Sequence, residues 1–365
     1  MQIFMGKFRR NNLARFLLYK LFSPKLKASK IDITPYYLFF KQEFPFVQYK
    51  TDLFEASVNK QFNEWSTSGE LEYIIRYDGG VLIEPKYGFA LDNKGDVIEK
   101  SLPYGEVSSH LFPHYVYYKR KNGRHLSQAV SIYYNWFNYW HFYNDVMGQL
   151  YLLEKEGFDK SIPIIIPAKA LELGYVNYFF KTEFAKKWNW VFQDQHEFIS
   201  VDEVYFCKSI PNIGAQFIFA REIFRETVNF DPNAERKIFL KRNASRGRAI
   251  SNLNSIEPVL EKFGIEIVDA DYLTMEQQIA LFSESALIIG PHGAGLTNML
   301  YRHPGNCCVI EIFPEGFTPT HYYWLAKELN FSYKAILGGK LTEGGFEVAS
   351  DGLEAALENV LSLSS

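Results

Sequence analysis

Three arginines within seven residues, Arg242, Arg246 and Arg248, follow the strand-like run Lys237–Lys241. A guanidinium presents a fixed fork of donors that matches phosphate oxygens, so a cluster leaving one strand suits a diphosphate. Further along, Gly290-Pro-His-Gly-Ala-Gly-Leu-Thr-Asn298 joins the apolar run Ala286–Gly290 to a helix expected from about Leu296. Gly293 and Gly295 let the backbone bend and approach a ligand. The amides of the following helix would then point at an anion. His292, Ala294, Thr297 and Asn298 complete the turn and its first donors. Glu311, near the end of the strand Cys308–Phe313, could accept hydrogen bonds from a ribose diol. Each feature also has a plain structural reading. A basic loop can be merely solvated, glycines let a strand and helix pack closely, and a strand often ends in a charge.

A second group precedes these. His141 and Asp145 are four residues apart in Asn138-Tyr-Trp-His-Phe-Tyr-Asn-Asp145, which runs into the helical pattern Val146, Leu150, Leu153. That spacing puts both on one helix face. An imidazole and a carboxylate among aromatic rings can hold a sugar and take a proton from a hydroxyl. The same pair could simply fix the helix. Asp269-Ala-Asp271 resembles the carboxylate pairs that hold a divalent cation. It enters a helix, however, where Asp is a common starting residue, and the arginines already neutralise a diphosphate. We therefore expect no metal and no cofactor. His110 and His114 are also four apart, but Pro113 between them breaks the helix that would align them.

The elements that must position these groups alternate between strand and helix patterns. Strands are expected at Ala129–Tyr134, Ile162–Pro167, Lys237–Lys241, Ile265–Val268, Leu287–Gly290 and Cys308–Phe313. Helices are expected at about Ser255–Phe263, after a capping box at Thr274 and Gln277, and near Thr320–Leu329. Apolar strands alternating with helices predict an α/β fold with a parallel sheet covered on both faces. Ligands in such sheets bind beyond the carboxyl ends of the strands, where the arginine loop and the glycine turn both fall. Asp78-Gly79-Gly80, between the runs Tyr73–Arg76 and Val81–Glu84, reads as a hairpin turn. Ser209–Pro232 reads as a linker.

The chain has 365 residues, 47% of them hydrophobic and 17% aromatic. That is enough for two domains. Eight basic residues lie before Asp32, the first acidic one. The rest holds 31 basic against 42 acidic residues, which argues against nucleic acid as a partner. The basic segment alternates with Phe8, Leu13, Phe16, Leu17, Leu18, Leu21 and Phe22, a pattern suited to an anionic membrane surface. Three cysteines without metal-ligand spacing fit a reducing compartment, and no apolar run reaches membrane-spanning length. The expected division is a basic segment 1–30, a domain 31–215 holding His141 and Asp145, a domain 216–340 holding the arginine loop and the glycine turn, and a helical tail 341–365.

The segment KIFLKRNASRGRAISN, then VDADYLTMEQQIALFSESALIIGPHGAGLTNMLYRHPGNCCVIEIFP, resembles the donor-binding half of glycosyltransferase family 61. NYWHFYNDVMGQL resembles that family's Tyr-x-His-x-x-x-Asp helix. The His-Gly-Ala-Gly-Leu-Thr-Asn motif carries most of the specificity. The resemblance implies a GT-B architecture, two Rossmann-like domains facing across a cleft, and an inverting transfer without a strict metal requirement. Arg242, Arg246 and Arg248 match the family's basic loop; His292, Gly293 and Gly295 its turn; Asn298 its following helix; and Glu311 its strand end. Leu253 and Asn254 depart from the acidic residues common after Asn252. The implied partners are a nucleotide-sugar and a glycan or lipid-linked acceptor. The implied location is cytoplasmic, at the inner membrane surface. A nucleotide-sugar-binding protein without transfer activity, a scaffold of polysaccharide assembly and a GT-B pyruvyl transferase are the competing expectations.

Overall fold

The computed structural model describes residues 28–29, 37–44, 70–85, 88–102, 121–132, 136–209, 214–225, 233 and 235–362. The basic segment up to residue 27, His110 and His114 lie outside the described residues. The described residues divide into two compact units, one drawn from Gln2–Phe44 and Glu70–Pro211, the other from Asn212–Ser365.

The first unit is a mixed ten-stranded sheet. Its strands are β1 (Ala28–Ser29), β2 (Tyr37–Phe44), β3 (Glu70–Tyr77), β4 (Val81–Ile83), β5 (Ala90–Leu91), β6 (Val97–Ile98), β7 (Lys121–Ser131), β8 (Ile164–Pro167), β9 (Trp190–Gln193) and β10 (Glu197–Lys208). The parallel part runs β10-β7-β8-β9. β8 is buried at all four positions, as a central parallel strand must be. Along its other edge β10 pairs antiparallel with β3 and β4 end to end, Val204 with Tyr77 and Val201 with Val81. The 78–80 turn therefore makes no hairpin. Gly80, at φ 67°, donates its amide to the Asp202 carbonyl at 3.1 Å and keeps the chain beside β10. A positive φ of this kind favours glycine.

A helix then covers this sheet. It starts as α-helix at Tyr139–His141, widens into a π-helical turn at Phe142–Val146 and resumes as α-helix at Met147–Lys155. Asn138 caps it by accepting the His141 amide through its side chain. Phe142, Tyr143, Val146, Met147, Leu150 and Leu153 are fully buried. Phe142 lies in a ring cluster with Trp136 at 5.5 Å and Tyr175 at 5.2 Å. Tilted rings at such distances attract one another beyond their buried area. With the apolar face committed to the core, His141 and Asp145 stay partly accessible.

The second unit is a five-stranded parallel sheet of β11 (Arg236–Leu240), β12 (Glu266–Val268), β13 (Ser285–Pro291), β14 (Cys308–Phe313) and β15 (Ser332–Leu337), ordered β12-β11-β13-β14-β15. Numbered within the unit this is 2-1-3-4-5, the doubly wound order that reverses direction between its first and third strands. The reversal lies between β11 and β13, whose exits carry the arginine loop and the glycine turn. On one face Phe239, Leu287, Ile289, Ile310 and Ile312 pack with Ile256 and Leu260 of the helix Leu253–Lys262 and with Leu353 and Leu357 of the helix Ser350–Ser362. Strand alternation sends Val309, Glu311 and Phe313 to the opposite face.

Three local expectations change here. Within the supposed linker, Gly214–Arg225 is a helix that buries Phe217, Ala220 and Phe224, with Phe224 edge-on to Tyr301. The 350–362 helix is core rather than tail. The element after the glycine turn is a 3-10 helix, Ala294–Tyr301, not an α-helix.

Candidate functional site

The two reversing strands open onto a crevice of ≈ 130 Å³ lined by Arg242, Arg246, Asp271, Gly293, Ala294 and Gly295, among others. Arg242 folds back against its own loop, donating from Nε to the Gly247 carbonyl at 2.6 Å and from Nη2 to the Arg246 carbonyl at 2.9 Å. Its Nη1 lies so close to Gly293 that a Cβ there would meet it at 2.0 Å. A glycine is thus required for the guanidinium to lie along the turn. Arg248 takes a left-handed conformation, φ 57°. That region is strained for a residue other than glycine. The chain just beyond it is pinned, with Phe346 N donating to the Ala249 carbonyl at 2.9 Å and Ser251 N to the Phe346 carbonyl at 2.8 Å. The Arg248 guanidinium sits over the half-exposed Phe317 ring at 5.1 Å, a cation–π arrangement.

Burial and mutual repulsion act together on this cluster. Burial first, then the neighbouring Arg248 charge, lowers the pKa of Arg242 below the usual arginine value; burial also lowers that of Arg248. Arg246 has a carboxylate partner, Asp271, at 3.0 Å from its Nε. An anion in the crevice would relieve the strain of holding like charges together. In the 3-10 helix the first bond runs from Leu296 N to the Gly293 carbonyl. The amides of Ala294 and Gly295 precede that bond and remain available at the crevice.

His292 and Glu311 form a buried pair behind the turn. His292 Nδ1 is 2.5 Å from Glu311 Oε1, and the Tyr333 hydroxyl donates to Glu311 Oε2. Burial, strengthened by the charges of Arg248 and Arg242, lowers the His292 pKa to about 3. Burial also raises the Glu311 pKa well above its ordinary value, against the opposing effects of Tyr333 and Arg248. Both shifts favour the uncharged forms, and the arrangement they favour is a neutral pair. The carboxylic acid donates to Nδ1, which leaves the ring proton on Nε2 as a donor. The ring itself is stacked on Phe313 at 5.5 Å. Glu311 has no exposed surface and both its oxygens are engaged, so in this arrangement it meets no ribose. A neutral pair makes a specific prediction. Glu311→Gln, which also offers a donor to Nδ1, should change the unfolding free energy by less than about 1 kcal/mol. Glu311→Leu strands Nδ1 and the Tyr333 hydroxyl and should cost roughly 2–5 kcal/mol in urea unfolding. Equal large losses from both variants would show an ionised pair instead.

Thr297 and Asn298 are completely buried, and Asn298 Nδ2 donates to Gln278 Oε1 at 2.8 Å. Asn298 braces the turn through that bond, and neither side chain is among those lining the crevice. The Asp269 side chain caps its own short helix by accepting the Asp271 amide at 3.1 Å, while Asp271 pairs with Arg246. Both carboxylates of the Asp-x-Asp segment thus have protein partners.

In the first unit His141 Nδ1 is 2.8 Å from Asp145 Oδ2, and Asn144 Nδ2 donates to Asp145 Oδ1 at 2.8 Å. Their side chains keep 32% and 22% of their surface, so both can be reached by a ligand. A single π-turn inside an α-helix is a frequent feature of functional sites, because the extra residue re-aims the side chains.

Tyr333, Gln278 and Phe317 join this site without having been singled out by sequence. Tyr333 stands in β15 on the same pleat face as Glu311, and that shared face is the signal that pairing would have exploited. Gln278 sits four residues after the Thr274 cap, and nothing in its spacing separates it from a surface residue.

Comparison with known proteins agrees with the motif. Residues 139–310 match the family described as Glycosyltransferase 61. A β-1,2-xylosyltransferase of Arabidopsis thaliana is 33% identical over 79 residues, 21% of this chain and 15% of that protein, so the matched stretch spans a small part of the relative's length. The family match starts in the His141–Asp145 helix and ends in β14, taking in that pair, the arginine loop and the glycine turn, and stopping one residue short of Glu311. Over residues 139–310 the chain is thus similar to the Glycosyltransferase 61 family.

Proposed function

We propose that this protein is an inverting glycosyltransferase, moving a sugar from a UDP-linked donor to a glycan or lipid-linked acceptor in cell-surface polysaccharide synthesis. The observation that carries this reading is the arginine crevice at the sheet reversal, where Arg246 and the half-buried Arg242 line the space beside Ala294 and Gly295, and the Arg248 charge is near enough to depress the Arg242 pKa. That arrangement suits a diphosphate both as a ligand and as a leaving group. The reading includes the GT-B type of two Rossmann-like domains that the resemblance implies. The Arabidopsis relative is named for transfer of xylose, a pentose, and the reading here covers hexosyl or pentosyl transfer.

Inversion is a single in-line displacement. Asp145 takes the proton from the acceptor hydroxyl, and His141 orients the carboxylate. The hydroxyl oxygen bonds to the anomeric carbon as the bond to the diphosphate oxygen breaks, and the departing charge passes to Arg242, Arg246, Arg248 and the Ala294 and Gly295 amides. The His292 Nε2 proton is a further donor for that charge. With three guanidinium groups in this role, transfer is proposed to proceed without a divalent cation. The basic segment 1–30 is proposed as a contact with the inner membrane surface on the cytoplasmic side; no helix among the described residues is long and apolar enough to cross a membrane.

Thermal shift and calorimetry against a panel of nucleotide-sugars test this. A donor that stabilises the fold and releases UDP when a glycan acceptor is added supports transfer. Binding without release would favour a nucleotide-sugar-binding protein, and no binding by any member would favour a scaffold.

A further inference from the structure

Asp271 lines the crevice and fixes Arg246, yet it stands on a short loop at the sheet edge, beyond β12, with its own side chain substantially exposed. What holds that loop in place is a hydrogen-bond chain from the glycine motif. Asn298 Nδ2, fully buried under the turn, donates to Gln278 Oε1 at 2.8 Å. Gln278 then donates from Nε2 to two carbonyls of the loop, Ala270 and Leu273, each at 3.1 Å. These two carbonyls bracket Asp271 and Tyr272. Gln278 belongs to the helix Met275–Ser283, whose start is fixed by a reciprocal cap between Thr274 and Gln277. The amide therefore projects from a rigid element onto a loop that has little apolar packing of its own, since Tyr272 is 81% exposed.

The orientation of the amide is set by its partners. Asn298 supplies a donor and the loop supplies two acceptors, so only one flip of Gln278 satisfies all three contacts. The chain continues outward through Asp271 Oδ2 to Arg246 Nε at 3.0 Å. Held by Nε, Arg246 keeps its two terminal nitrogens for a ligand. The Arg246 carbonyl in turn accepts from Arg242 Nη2 at 2.9 Å, so the position of this loop bears on a second arginine.

We propose that Gln278, oriented by Asn298, is a positioning residue for the diphosphate-binding arginines, acting through the 270–273 loop and Asp271 on Arg246. This rests on the reading of the crevice as a diphosphate site, but the two can fail separately. Neither side chain needs to touch the ligand. The role of Asn298 thereby moves from donor contact to support of the neighbouring loop.

Two measurements on the full chain test it. In hydrogen exchange, Gln278→Leu and Asn298→Ala should each speed exchange at the Tyr272 and Leu273 amides by about tenfold or more, because the loop loses its tether. In calorimetry with UDP, Gln278→Leu should raise Kd by about 5- to 20-fold, as expected for misplacing one charged contact. Combined with Arg246→Ala, Gln278→Leu should add less than about twofold further, since its effect passes through that arginine. Unchanged loop exchange in Gln278→Leu overturns the proposal, even if the protein melts earlier. Full additivity with Arg246→Ala overturns it as well. Wild-type protein that binds no UDP would instead overturn the diphosphate reading, while the exchange result still decides whether Gln278 tethers the loop.

Discussion

Asp145→Asn is expected to lower kcat for sugar transfer by about 10²- to 10⁴-fold, the usual range for a lost general base, while leaving the Kd for UDP within about twofold. The substitution is close to isosteric. Its Oδ1 can still accept from a neighbour, so the contacts that Asp145 makes with Asn144 and His141 at 2.8 Å need not all be lost. What the amide cannot do is receive the acceptor proton. If Asp145 only anchored the π-turn, Asn would cost some stability and little turnover, and the unfolding curve would move while kcat did not. His141→Gln separates the two functions of the pair. A weaker loss than that of Asp145→Asn, with an increased KM for the acceptor, is expected of an orienting group. Measuring kcat at saturating donor with both variants, alongside their urea midpoints, decides between the roles.

The reach of sequence into this structure depended on which physical signal each residue carried. The parallel sheet was legible because its strands are buried on both faces and leave apolar runs, as at Ile164–Pro167 and within Ser285–Pro291. The Thr274 capping box was legible because both partners lie within four residues. The arginine loop and the glycine turn were read as neighbours because parallel strands put all their exits on one side. Failures came where the deciding contact is remote. The 78–80 turn has hairpin composition, but the Asp202 carbonyl on β10 holds Gly80 on a continuing path. Glu311 looked like a strand-end charge. Its burial is completed by Tyr333 on β15 and His292 beyond β13, which take up its two oxygens, and neither partner is visible from the local pattern. Thr297 and Asn298 had the right chemistry for a ligand and the wrong face, because a 3-10 turn rotates side chains differently from the α-helix assumed. The π-turn at Phe142–Val146 leaves no simple periodic signature at all.

The other large effect belongs to the two half-buried arginines. Arg242→Ala combined with Arg248→Ala should weaken UDP binding by about 10²- to 10⁴-fold, on the scale of roughly 1.5–3 kcal/mol for each charged hydrogen bond lost. Uridine, which lacks the diphosphate, should lose far less. The effect on stability should run the other way. Each arginine is held partly out of water; burial lowers both pKa values, the Arg248 and Arg246 charges lower that of Arg242 further, and these effects oppose the folded state. Removing both should leave the ligand-free unfolding midpoint unchanged or higher, apart from the bonds from Arg242 to the Gly247 and Arg246 carbonyls. A binding site that is destabilising when empty is the expected signature of preorganised charge, whereas arginines kept for structure would lower the midpoint when removed. Gly293→Ala reaches the same point without deleting a charge. Its new Cβ would lie 2.0 Å from Arg242 Nη1, so the guanidinium must leave the turn. The backbone there is extended, at φ 174°, and accepts a side chain without strain. Gly293→Ala should therefore fold normally and bind UDP about tenfold more weakly, less than the loss of a full charged contact. Its effect should largely vanish in the Arg242→Ala background. If Gly293→Ala bound UDP as wild type does, Arg242 would not be the arginine that the turn presents to the diphosphate, and the contact would pass to Arg246 and Arg248.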